Sequence, residues 1–162
     1  AIMRWVGPAK SVTANAQTIN NPRVDESGNY VFTDIPDHLD VLCEMIAGGT
    51  ANLQFTMVSG MAPESEMWIH GTKGTLVVKT ETTADAGAPN LVLLGAEKGQ
   101  KQLEQIKIPD NEVGGWRVEE EFINAIRGEE LITHTSFTDR VKYMKFTDAI
   151  SDSFSTGQKI II

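Results

Sequence analysis

Cysteine is almost missing from this chain. Of 162 residues only Cys43 carries a thiol, which excludes an internal disulfide and fits a reducing, cytoplasmic setting. Cations are also scarce: 14 Lys and Arg stand against 22 Asp and Glu, a formal charge of -8. Nucleic-acid and anionic-membrane partners are therefore not expected, since both need clustered basic residues to meet phosphates. No apolar run approaches the ~20 residues of a membrane helix, and the opening residues lack the pattern of a secretory leader. No Asn-x-Ser/Thr acceptor occurs, and no Gly-x-Gly-x-x-Gly or Walker-type glycine loop that would cradle a nucleotide phosphate. The three histidines, His38, His70 and His134, have no spacing that brings two imidazoles to one metal. What remains is an ordinary globular composition, 41% hydrophobic and 22% charged, and a length that fits one domain, residues 1–162.

The pattern along the chain is mostly period two. Val12, Ala14 and Ala16 alternate with Thr13, Asn15 and Gln17 over residues 10–18, which predicts a half-buried strand. Residues 19–29 read as a loop, and 30–33 as a short strand. A strand over 39–46, a Gly48-Gly49 turn and an alternating run over 51–58 make a hairpin, with the glycines free to take positive φ. In that second run Ala51, Leu53, Phe55 and Met57 share one face; Asn52, Gln54 and Thr56 share the other. Residues 67–70 and 75–79 form a second hairpin about Gly71-Thr72-Lys73-Gly74. Residues 91–94 and 106–108 are further strands. The period then becomes helical. Trp116, Phe122, Ile123 and Ile126 recur in a helix over 116–127, with Phe122 or Ile123 expected on its buried face. Glu119-Glu120-Glu121 suits the N-terminal end and reads as a solvated face. Ser136-Phe137-Thr138-Asp139 is a capping box for a helix reaching about Phe154, whose wide apolar stripe predicts deep packing. Ile160 to Ile162 reads as a last strand. The expected class is α+β, an open and largely antiparallel sheet with helices packed on one face.

Candidate chemistry is sparse. Asp37 and His38 are adjacent, and neighbours on a strand face opposite ways, which argues against a dyad. Cys43 within a strand reads as a small hydrophobe. Gly71-Thr72-Lys73-Gly74 joins two strands and opens no helix, so it reads as a turn. No residue of the chain is assigned a catalytic, cofactor-binding or metal-binding role. The feature that stands out is a strand face bearing Thr13, Asn15, Gln17, Asn52, Gln54 and Thr56, all uncharged. A solvated sheet face more often carries Lys and Glu, so Asn15, Gln17, Asn52, Gln54 and Thr56 are candidate interface residues for a homo-oligomer.

The order of elements resembles the C-terminal domain of the glucose–fructose oxidoreductase / inositol dehydrogenase / MocA (Gfo/Idh/MocA) family. The likeness rests on Arg4-Trp5-Val6-Gly7 as a helix end, Ser11 to Ala14, the Asp37-His38 strand and the Gly48-Gly49 hairpin. It continues through Ile69-His70-Gly71-Thr72-Lys73-Gly74-Thr75-Leu76, Glu121 to Gly128, Phe137-Thr138-Asp139, and Asp148 to Ser153 with Gly157. The resemblance implies the substrate-binding and oligomerisation domain of an NAD- or NADP-dependent oxidoreductase acting on a sugar, cyclitol or similar polyol. It implies that residues 1–6 are the tail of a helix begun in a missing N-terminal Rossmann domain, which holds the nucleotide and the catalytic Lys, and that the catalytic His falls just before Ala1. This chain alone would then be inactive and bind no nucleotide. The loop with Ser59, Met61 and Glu64 matches a position near substrate in relatives, with Met61 and Pro63 where aromatic residues are common. The alternative is a non-catalytic binding or regulatory module on the same fold.

Overall fold

In the computed structural model the described residues are 2–61, 65–81, 90–133 and 136–162. They divide into two compact units, residues 1–59 with 117–162, and residues 60–116.

The first unit is a four-stranded antiparallel sheet carrying one long helix. Strands β1 (Ala9–Gln17), β4 (His38–Met45), β5 (Thr50–Thr56) and β10 (Ile160–Ile161) lie in the order β10-β1-β4-β5. The alternation read from the sequence sets the faces. Val12 and Ala14 from β1 and Val41, Cys43 and Met45 from β4 point inward. Ala149 and Ile150 of helix α3 (Phe137–Thr156) close the core over them, with Phe146 and Phe154 beside. Cys43 is buried, and burial pushes its thiol pKa up, so it is a packing residue. The capping box at the start of α3 is formed: Ser136 Oγ accepts from the Asp139 N–H at 3.1 Å, and Asp139 accepts from the Ser136 N–H at 3.4 Å. Gly157 ends the helix at φ 69°, a left-handed cap that glycine adopts without strain.

Beyond Val12, β10 no longer reaches β1, because it pairs only with Ser11 and Val12. Ser153 takes its place. Its hydroxyl, fully buried, accepts from the Ala14 N–H at 2.8 Å and donates to the Gln158 carbonyl at 2.6 Å. One side chain thus ties the strand, the helix and the helix's exit together.

The segment between β1 and β4 is more ordered than a loop reading allows, with a two-stranded ribbon of β2 (Arg23–Val24) and β3 (Tyr30–Val31). Asp37 holds its base. The carboxylate accepts from the Ile19 and Asn20 N–H groups at 2.7 and 2.9 Å and lies 3.5 Å from the Arg23 guanidinium. These bonds, the Ile19 N–H first, hold its pKa below the ordinary 3.8. A carboxylate whose folded pKa is depressed contributes stability above its unfolded pKa and loses it as pH falls through the folded value. Asp37→Asn is expected to destabilise the chain at neutral pH and to flatten the acid limb below about pH 4. Urea midpoints measured across the acid range check this; parallel profiles for the two proteins contradict it.

The helix α2 (Val118–Arg127) departs from expectation in three ways. It starts two residues later, leaving Trp116 80% exposed. Among the described residues no strand packs extensively against it, and Phe122 and Ile123, expected in the core, are each nearly half exposed. Glu121, expected in solvent, is instead 1% exposed. The reason is a turn of the helix: its polar side meets residues 129–133. Glu121 accepts from the Thr133 N–H at 3.2 Å and from its hydroxyl.

The second unit is an antiparallel sheet of β6 (Glu66–His70), β7 (Gly74–Glu81), β8 (Asn90–Glu97) and β9 (Glu104–Gln105), in that order. Val77 and Val92 are its buried residues. The last strand lies two residues before the expected 106–108. Ile106 instead folds back on Gly95, where an added Cβ would stand 2.7 Å from its Cδ1. The Gly71–Gly74 segment is the expected turn, with Gly71 N–H donating to the Gly74 carbonyl at 2.8 Å. Gly74 is required there, because a Cβ would run into the Ala96 carbonyl oxygen.

Candidate functional site

The open face of the first sheet gathers the polar side chains singled out in the sequence. Register places them in rows. Gln17, His38 and Thr56 form one; Asn15, Asp40 and Gln54 the next; Thr13, Leu42 and Asn52 a third; Ser11, Glu44 and Thr50 a fourth. Asn15, Gln17, Asn52, Gln54 and Thr56 are therefore on a common surface.

The face is not free of charge, which corrects the sequence reading. Its central strand β4 contributes Asp40 and Glu44. Both are neutralised or bonded locally. Asp40 Oδ1 accepts from Gln54 Nε2 at 3.0 Å, and Oδ2 lies 3.1 Å from His38 Nε2. The Gln54 bond first, then His38, holds the Asp40 pKa below its ordinary value. Glu44 accepts from Lys159 and from Ser11 Oγ, which lower its pKa in that order. Leu42 lies exposed at the centre of the face, flanked by uncharged Thr13 and Asn52. Sequence reading missed these four because it followed β1 and β5, the strands on either side of β4. The same alternation that puts Val41, Cys43 and Met45 inward sends His38, Asp40, Leu42 and Glu44 outward. Chemically the surface is a hydrogen-bonding platform with one apolar centre. The His38–Asp40 pair lies on the open face, with Asp40 nearly half exposed and Thr56 across from His38.

The expected substrate loop is only partly described. Ser59 is exposed, its hydroxyl 3.4 Å from Thr56 Oγ1. Met61 is fully exposed at φ 58°, a left-handed conformation uncommon outside glycine and asparagine. Glu64 and Pro63 lie outside the described residues, as does His134. In the second unit a cavity of about 670 Å³ opens over Ile69, Leu76, Gly95 and Ile106, with Lys73 and Glu104 on its rim. Among the described residues no group of three or more His, Cys, Asp or Glu could hold a metal ion, and no helix is long and apolar enough to cross a membrane.

Among the described residues every strand pairing is antiparallel, and none forms the parallel sheet whose carboxyl-end crevice holds a dinucleotide in doubly wound folds. The α3 N-terminus is occupied by its own Ser136–Asp139 cap.

No family model matches the sequence, and no curated protein does. Solved structures do match in fold. An NAD binding oxidoreductase from Klebsiella pneumoniae superposes with a TM-score of 0.74 at 15% identity, covering 99% of this chain and 47% of that one. Levoglucosan dehydrogenase, solved with NADH and levoglucosan, gives 0.72 at 17% identity, covering 99% and 46%. The WlbA dehydrogenase from Bordetella pertussis, in complex with NADH and UDP-GlcNAcA, gives 0.63 at 18%, covering 99% and 41%. The fold is therefore one that these oxidoreductase structures share over part of their length. The chain spans a little under half the length of these structures.

Proposed function

We propose that this chain is the substrate-side and oligomerisation part of an NAD- or NADP-dependent oxidoreductase acting on a sugar, cyclitol or similar polyol. The observation that carries the reading is the match over 99% of the chain to an NAD binding oxidoreductase, levoglucosan dehydrogenase and the WlbA dehydrogenase, of which it covers 41–47%. In this reading the nucleotide is held by the Rossmann domain of the longer protein and supplies the hydride chemistry. The chain's own contribution is a rigid sheet that bounds the substrate space, with Ser59, Met61 and Glu64 as the nearest candidates.

The open face of the first sheet is proposed as the contact between copies. Its side-chain hydrogen bonds replace bonds to water, each with a net gain of about 0.5–1.5 kcal/mol. The apolar centre at Leu42 adds desolvation energy that the polar rim cannot. Gln54→Lys is a poor probe of this face, because the new ammonium would sit beside Asp40. Leu42→Lys places a charge between Thr13 and Asn52, where an interface would desolvate it without a partner. The wild-type chain is expected to sediment as a dimer or larger at micromolar concentration, and Leu42→Lys to shift toward monomer with unchanged circular dichroism. A wild-type chain that sediments as a monomer even at high concentration would show the face to be an ordinary solvated surface.

A further inference from the structure

One face of the second unit's sheet carries an aromatic pair held in place from two directions. Alternation along β6 puts Glu66, Trp68 and His70 on the same side, and register sets Lys79, Val77 and Thr75 of β7 beside them in turn. The Trp68 indole N–H donates to Glu66 Oε2 at 3.1 Å. The Trp68 and His70 rings stack with centroids 5.9 Å apart and planes 24° from parallel, an offset arrangement that aromatic quadrupoles favour. His70 Nδ1 in turn lies 3.3 Å from Thr75 Oγ1. Val77, cross-strand from Trp68, is 1% exposed, whereas Trp68 keeps 51% of its own surface open.

An exposed tryptophan tied down in this way has lost its rotamer freedom before a ligand arrives, so little more is lost on binding. The polar fringe selects the ligand. Glu66 has Oε1 left after Oε2 has taken the indole N–H, and a carboxylate at neutral pH only accepts, so its partner must be a donor. The Thr75 hydroxyl and the second nitrogen of His70 complete the fringe, and each can donate or accept. Lys79 stands across from Glu66. The fringe therefore holds one charge of each sign: an anion would meet Glu66 and a cation would meet Lys79. A neutral ligand satisfies both, provided that it brings hydroxyl donors at its edge and an apolar face for the indole.

We propose that Trp68, with Glu66, His70 and Thr75 at its edge, binds a saccharide ring, the C–H face of the sugar on the indole and its hydroxyls on the fringe. A pyranose has the required form, with axial hydrogens on a face and hydroxyls around the edge. Sites for small molecules commonly combine an aromatic surface with a few polar groups that fix orientation. A nucleotide, whose base also stacks on tryptophan, is the poorer occupant. Its phosphates bring a charge that Glu66 and the chain's formal -8 oppose. The site belongs wholly to the second unit and does not depend on what the longer protein catalyses.

The test titrates the nitrogen-15-labelled chain with glucose, cellobiose and N-acetylglucosamine, and with adenosine as a stacking control, while the tryptophan indole N–H resonances are followed by NMR. Trp68 is assigned by the signal missing from Trp68→Phe. At least one saccharide is expected to shift the Trp68 signal saturably at millimolar concentration and to leave those of Trp5 and Trp116 in place. Calorimetry then compares variants. Trp68→Ala is expected to weaken that saccharide roughly 10-fold. Glu66→Gln keeps an acceptor for the indole and is expected to weaken it about 5-fold, with circular dichroism unchanged. This second variant keeps the test decisive if Trp68→Ala disturbs the sheet. No saturable shift with any saccharide overturns the proposal. So does a response to adenosine as strong as to the sugars, or an affinity that Glu66→Gln and a folded Trp68→Ala leave unchanged.

Discussion

Ile150→Ala is expected to lower the unfolding free energy of this chain by about 2–5 kcal/mol, while Phe122→Ala changes it by less than about 0.5 kcal/mol. Both residues are large, apolar and helical, and sequence alone ranks the phenylalanine as the greater loss. Their surroundings reverse the order. Ile150 sits in the cluster formed by Val12, Ala14, Val41, Cys43 and Met45, so truncating it removes buried contacts and leaves a cavity that the β-sheet cannot close. Phe122 is nearly half exposed on the open side of α2, and alanine there improves helix propensity. Urea denaturation of the two variants decides it. Equal midpoints would mean that α2 is packed and that the account of its open stripe is wrong.

Ser153→Ala is the second large effect, expected at about 1–3 kcal/mol although it removes a single oxygen. The hydroxyl is fully buried and serves two backbone groups, the Ala14 N–H and the Gln158 carbonyl. Alanine leaves the Ala14 N–H without a partner in a buried position and removes the part-buried bond to the Gln158 carbonyl. Ser153→Thr retains the hydroxyl and is expected to keep those bonds if the extra methyl is accommodated. Exchange of the Ala14 amide gives a local readout: it should accelerate in the alanine variant more than its neighbours on β1. Uniform acceleration would place the loss in packing and not in this bond.

How much of this was legible beforehand depended on which force set the position. The alternation Val12, Ala14, Ala16 and the Gly48-Gly49 turn defined the first sheet within a residue or two, because one face of β1 and of β4 is buried in the core that α3 closes and register is fixed by that burial. The capping box at Ser136 and Asp139 was equally readable, being a local bond pattern. α2 was misread, because periodicity reports that a helix has an apolar side and not what covers it. Glu121 looked like one of three solvated carboxylates; its partner Thr133 lies twelve residues on, in a stretch with no pattern. The width of the α3 stripe was visible, yet it consists of two opposed stripes and only one meets the sheet. The open face was half read. Asn15, Gln17, Asn52, Gln54 and Thr56 share it as expected, whereas Asp40 and Glu44 required the register of β4 against both neighbours.

The central claim is that this chain supplies the substrate-side sheet while another part of the same protein holds the nucleotide. The most direct measurement is an NADH titration, by fluorescence and calorimetry, of this chain and of the protein extended upstream of Ala1. The account predicts no saturable binding to the chain alone, whose described strands pair only antiparallel and whose α3 N-terminus is self-capped, and saturable binding at micromolar NADH or NADPH to the extended protein. Saturable micromolar binding to the chain alone, or none to the extended protein, would contradict it.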